Sequence, residues 1–265
     1  MDSLRNLDLN QKERKSRIKL KYFFVYQIFL IAYLTGVLWL RRNPLSLVFS
    51  AITPFSILFV LLVISDGQYS KYAVSGSLVM ALVGYGLALG QDISYYKTEY
   101  KIQEVFVASP VSSLTYMTGL ALSEILFGLP ALVILILMLF YFGLSISFLP
   151  LLIFTVLVIW ISTSAMGFFL SSRMLYMKNA TQIISFVNVL LAVLPPVFYS
   201  IEKLPDWLQT FAYIVPTTHA SLMIQYSMGL KIPEEWSIWT GIFVEIVYAT
   251  AFIFLAKTKA IWRDS

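Results

Sequence analysis

Apolar positions in this chain fall into long unbroken runs, without the alternation of half-buried strands or the single stripe of a soluble helix. A helix needs about 20 apolar residues to cross about 30 Å of hydrocarbon. Runs of this kind lie near 45–64, 73–92, 116–141, 150–170, 180–196 and 236–256. Six transmembrane helices are expected. The uncharged turn "GLSISFLP" (143–150) joins the third and fourth, and the basic "SSRMLYMKN" (171–179) joins the fourth and fifth. Pro44 and Pro150 open spans, and Pro195 and Pro196 close the fifth. Pro54 and Pro130 lie inside spans, where membrane helices tolerate kinks.

A seventh apolar run, 22–40, ends at Arg41 and Arg42. Charge decides how to treat it. With six spans and a cytoplasmic N-terminus, the inside segments are 1–44, 93–114, 171–179 and 257–265, and they hold 16 of the 19 Lys and Arg residues. Only Lys71, Lys203 and Lys231 fall outside, in keeping with the positive-inside rule. A seventh crossing would carry Arg5 through Lys21 to the opposite face. The run is therefore expected to lie in the interface or dip into it, where Tyr22, Tyr26, Tyr33 and Trp39 favour the headgroup zone.

Composition agrees. A chain 59% hydrophobic and 12% charged has more apolar surface than a water-soluble core can hide. The net charge of +5 is spread over short segments between apolar runs, which topology explains better than a nucleic-acid surface. The absence of Cys excludes disulfides and thiol catalysis. The basic N-terminus lacks a small-residue cleavage site and does not read as a removed signal peptide.

Two segments are neither spans nor plain loops. In "YYKTEYKIQEVFVASPVS" (95–112), Ile102, Val105, Phe106 and Ser109 fall at helical spacing on one face, Lys97, Lys101 and Glu104 lie largely away from it, and Pro110 discourages continuation. A short amphipathic helix on the cytoplasmic surface is expected. The second segment, 194–236, is outside and semi-apolar. Pro205 and Asp206 suit a helix's first turn, and Leu204, Trp207, Leu208, Phe211 and Ala212 give an apolar face stopped by Pro216. A second piece runs from about Thr218 to Gly229. Each is too short to span, so the pair either dips into the outer leaflet and returns or lies flat on it.

Taken together, "RRNP" before the first span, "EYKIQEVFVASPVS" and "LPPVFYSIEKLPDWLQTFAYIVPTTHA" make the chain resemble the membrane subunits of type-2 ATP-binding-cassette exporters over nearly its whole length. The resemblance implies one transmembrane domain, 1–265. It comprises a cytoplasmic and interfacial N-terminal helix (1–44), a six-span bundle (45–256), a coupling helix (95–110), an extracellular re-entrant segment (197–232) and a cytoplasmic tail (257–265). The fold class is an all-α polytopic membrane protein. Glu99, Ile102, Glu104, Phe106, Ser109 and Pro110 are implied to meet the ATPase subunit. Lys101 and Ile102 depart from the family pattern, where a glycine followed by Ser or Thr is usual. Pro195, Pro196, Phe198, Pro205, Trp207 and Pro216 are implied to form the outer gate. The implied partners are a nucleotide-binding subunit, a second permease subunit (identical or related) and membrane lipid, with no nucleic acid. The implied location is the cell membrane with both termini cytoplasmic.

Motifs for other chemistry are missing. No G-x-x-x-x-G-K-[ST] occurs, so ATP and Mg are expected on the partner subunit and no cofactor on this chain. His219 stands alone without a metal-ligand cluster and is expected to pack or hydrogen-bond in the outer segment. Glu124 and Glu245 lie within the third and sixth spans. A charge at mid-bilayer costs about 2.5–3.5 kcal/mol, so each needs a partner, a proton or water. They are candidates for the translocation route or dimer interface, against a polar clamp between helices. Two rival functions stay open: a non-transporting scaffold or assembly factor, and an ion-coupled transporter using Glu124 and Glu245 as proton sites.

Overall fold

A computed structural model describes residues 23–67, 69–193, 195–230 and 235–260. The basic stretch through Lys21, Lys231 and the tail at 261–265 lie outside the described residues. Among those described, the chain is helical with no strand. The long helices are α1 (Phe23–Arg42), α2 (Leu45–Ile64), α3 (Ser70–Thr98), α5 (Ser113–Tyr141), α6 (Leu149–Ser172), α7 (Met177–Ala192) and α10 (Glu235–Thr258). Three short ones are α4 (Ile102–Ala108), α8 (Asp206–Ala212) and α9 (Pro216–Ser227).

Five of these, α1, α3, α5, α6 and α10, are long and apolar enough to cross a bilayer. α2 makes a sixth when Leu45–Ile52 and Pro54–Ile64, which meet at 43° around Pro54, are taken together. α7, expected to span over 180–196, has only 16 residues, about 24 Å of rise. The paired prolines at 195 and 196 end its helical run early. Pro130, by contrast, lies within α5, which continues through it.

Burial is inverted relative to a soluble protein. Phe29, Phe59, Leu137, Phe140, Trp239 and Phe243 are exposed, while Ser77, Ser123, Thr163, Ser164 and Ser171 are buried. The inner hydroxyls need no water where they bond their own helix, as Thr163 does to the Ile159 carbonyl at 2.7 Å. This is an all-α polytopic membrane protein.

The centre is α3, the most buried of the long helices. It packs on α6 above all, and also on α5, α7, α2 and α9. The closest approach uses glycine. Gly86 faces the side chain of Thr163 and the backbone of Ser164, and Gly90 faces the Gly167 carbonyl. A Cβ at either position would overlap those atoms, so the small-xxx-small spacing Gly86–Gly90 sets how near the two backbones come.

α1 runs beside α5 and does not lie across it. Ile31 touches Gly119, Gly36 meets Ser123 and Leu126, and the Trp39 ring packs edge-on against Phe127 with centroids 6.4 Å apart. Gly36 lies in the π-helical stretch Tyr33–Val37. α2 then begins midway up the bundle. Ser50 donates to the Phe127 carbonyl at 3.2 Å, and Tyr85 donates to the Ser50 carbonyl at 3.1 Å. Tyr85 and its neighbour Gly128 are each the sixteenth of 29 residues in α3 and α5. α1 and α2 thus follow α5 end to end as two consecutive pieces, a geometry of dipping into the bundle.

Identical substitutions on α3 should therefore give opposite results. Gly86→Ala and Gly90→Ala should lower thermal stability in detergent, by about 1–3 kcal/mol, through overpacking. Gly84→Ala, whose Cβ would meet nothing within 4 Å, should raise it slightly through helix propensity, by roughly 0.5–1 kcal/mol. Equal effects at the three positions would contradict the close crossing.

Candidate functional site

The link from α3 to α5 is built for rigidity. α3 continues to Thr98, so 95–98 complete that helix and the short helix covers only Ile102–Ala108. The chain reverses at Tyr100, whose ring stands edge-on to Tyr95 with centroids 4.7 Å apart. Lys101 then adopts a left-handed conformation, φ 54°, before α4 starts. A residue with a side chain bears roughly 1–3 kcal/mol of strain there, and glycine bears almost none. That is a physical reason for glycine being usual at this place in the motif the stretch resembles.

At its other end, Ser109 is extended and donates from Oγ to the Phe106 carbonyl at 2.7 Å. Ser112 caps α5 by accepting from the Thr115 amide at 3.1 Å. The face expected to act as one is split. Gln103 is buried and the Phe106 ring lies 5.1 Å from that of Tyr116 on α5, which anchors α4 to the bundle. Ile102 and Val105 turn outward with Glu104, and Val105 is 68% exposed. Glu99 and Pro110 are exposed as well. Helical spacing alone could not say which apolar residues the bundle would claim. Tyr116, from the next helix, decides it.

At the opposite end, Pro195 and Pro196 are buried. Val197 and Phe198 cover Gly76 of α3, and the Val197 carbonyl accepts from Ser221 at 3.1 Å. Lys203 holds the segment to the loop before α3, its Nζ 3.9 Å from the centre of the Tyr69 ring. Pro205 and Asp206 begin α8 as expected from their order. Of the apolar face read there, Ala212 is buried while Trp207 and Phe211 are exposed, with Tyr213 and Ile214 beside them.

α9 opens with Pro216 and is buried almost throughout, against α10, α6 and α3. Its start lies deep and its end lies at the rim. The Ile214 carbonyl accepts from Tyr248, the fourteenth of the 24 residues of α10, at 2.9 Å. The Ser227 carbonyl accepts from the amides of Ser147 and Phe148, at 2.8 and 3.1 Å, where α6 begins. A pair of helices lying flat would not make both contacts. His219 donates from Nε2 to the Tyr213 carbonyl at 2.8 Å, and Nδ1 has no partner among the described residues. Burial pushes its pKa below the usual histidine value and the hydrogen bond opposes that in part, so the ring serves structure here.

The two membrane acids part company. Glu245 is fully buried on a stripe of α10 with Gly241 and Ala256, and neither carboxyl oxygen has a partner among the described residues. Glu124 is hydrogen-bonded through its side chain to Asp92 of α3. Both line a cavity of about 570 Å³. Asp92 escaped the sequence reading because it sits at the end of the apolar run 73–92, where a charge reads as a boundary. Its inward place becomes visible only once α3 is known to run on to Thr98. Among the described residues no group of three or more His, Cys, Asp or Glu could hold a metal.

Comparison with curated proteins gives no match. Residues 12–229 match the family of ABC-2 type transporters. The matched stretch takes in α4, the acid-lined cavity and the segment through α9. The chain belongs to the ABC-2 type transporter family, as the transmembrane component of an ABC transporter.

Proposed function

We propose that this chain is the permease subunit of an ATP-driven exporter in the cell membrane, driven by a separate nucleotide-binding subunit that docks on α4. The observation that carries this reading is the split face of α4. One side is held on α5 by Phe106, with Gln103 buried beside it, and the other offers Ile102, Glu104 and Val105 to a partner. A contact that must transmit force needs both halves.

Displacement of α4 would tilt α3 and α5 together, because the linkers at Tyr100 and Ser112 are tightly bonded. α3 would carry α6 through the glycine crossing and α9 through direct packing. Pro195, Phe198, Trp207 and Pro216 belong to the segment that would move at the far end. ATP and Mg would sit on the partner, and a second permease subunit, identical or related, would complete the route. An ion-coupled route through both acids is disfavoured by their different surroundings: Glu124 lines a cavity and Glu245 is fully buried.

Reversing charge at the outer face should uncouple the complex. Glu99→Arg with Glu104→Arg should cut transport at least about tenfold, since mismatched charges at an interface cost several kcal/mol, while the permease still inserts. Motor binding and transport unchanged in that variant with Phe106→Ala added would contradict the docking assignment.

The chain has no native Cys, so single cysteines report orientation cleanly. Exposed Ser145→Cys should react with an impermeant maleimide on intact cells, and exposed Tyr176→Cys only after permeabilisation. The reverse pattern would invert the proposed topology.

Glu245→Leu should raise the unfolding temperature of the purified subunit, because a buried acceptor without a partner costs about 1–3 kcal/mol. A lowered unfolding temperature would mean that the carboxyl is held by a favourable contact.

A further inference from the structure

The cavity between α1, α2, α3, α5 and α7 has a composition that its packing role does not explain. Among the described residues its only charged lining residues are Asp92 and Glu124. A hydrogen bond between two carboxyl groups needs at least one proton, so the pair carries at most one negative charge. Trp39, Phe49, Tyr85 and Phe127 line the same space, and aromatic faces attract cations in water-poor surroundings. Asn188 adds an amide oxygen that is buried with no partner among the described residues. Arg41 and Arg42 are exposed at the end of α1 and do not line it.

α3 also keeps the space open. Gly86 and Gly90 are small because α6 and α7 press on them, but Gly84 has nothing within 4 Å of its Cβ position. It faces the cavity with Ala81 and Ala88, one turn away on either side. A larger side chain would fit there and would fill the void. About 570 Å³ is within the range of small-molecule sites.

We infer that this cavity is a binding site for a monovalent organic cation with an aromatic or apolar body, held by the Asp92–Glu124 pair, the Asn188 oxygen and the surrounding rings. The inference rests on the permease reading and gives its cargo a chemical class. Its position among α2, α3, α5 and α7, midway along α3 and α5, is where a cargo held within the bundle would lie.

The test needs no ATPase subunit, so its failure would leave the coupling assignment untouched, and failure of coupling would leave binding intact. The full chain in lipid nanodiscs is dialysed against radiolabelled tetraphenylphosphonium, with empty discs subtracted. Saturable binding is expected, and tetraphenylborate, of the same shape and opposite charge, should not compete. Glu124→Gln and Gly84→Leu should each weaken binding about tenfold or more, the first by removing charge and the second by filling space with the charge intact. Retained thermal unfolding establishes that each variant is folded. Absence of saturable binding to the folded wild type, equal competition by tetraphenylborate, or unchanged affinity in both variants would overturn the assignment.

Discussion

Gly86 and Gly90 let α3 lie against the backbone of α6 at Gly167, and the arrangement of the bundle follows from that contact. Lipid tails are as apolar as leucine, so burying leucine gives little drive for helices to associate within a bilayer. Close backbone approach supplies it through dispersion and packing density. With α3 fixed on α6, its other sides receive α5, α7, α2 and α9. The element joining α3 to α5 and the segment 195–227 packed on α3 then become opposite ends of one connected body. That connection lets motion imposed at one end reach the other.

The same central helix uses its small residues in two ways. Where α6 presses, glycine permits contact; where Gly84 faces the cavity, glycine preserves space. Asp92 lies further along the same helix, and its carboxyl meets Glu124 of α5 in the cavity. Glu245 shows the contrasting outcome, a carboxyl enclosed by packing with no partner for either oxygen among the described residues. Two acids that look alike in hydropathy are thus separated by what the neighbouring helices bring.

Hydropathy and charge made the helical class and most spans legible, since bilayer thickness acts on each segment separately. Proline order likewise foretold where α8 and α9 begin, at Pro205–Asp206 and Pro216. What stayed hidden depended on partners distant in sequence. The run 22–40 is interfacial in composition, yet Gly36 and Gly119 let it follow α5. The bundle claims Phe106 and leaves Ile102 and Val105 outside because Tyr116 waits on the next helix. The Asp92–Glu124 bond joins two helices, and no local pattern announces it. α7 ends at Ala192, ahead of the expected bound at 196, because Pro195 and Pro196 cannot continue a helix.

The central claim is that α4 is where ATP-derived force enters. A photo-crosslinking amino acid at Val105, 68% exposed on α4, tests it in intact cells at native expression. The account predicts an adduct to a polypeptide carrying a G-x-x-x-x-G-K-[ST] motif, absent when the same group is placed at buried Gln103. Val105 adducts to lipid alone, in cells where the complex still transports, would contradict it.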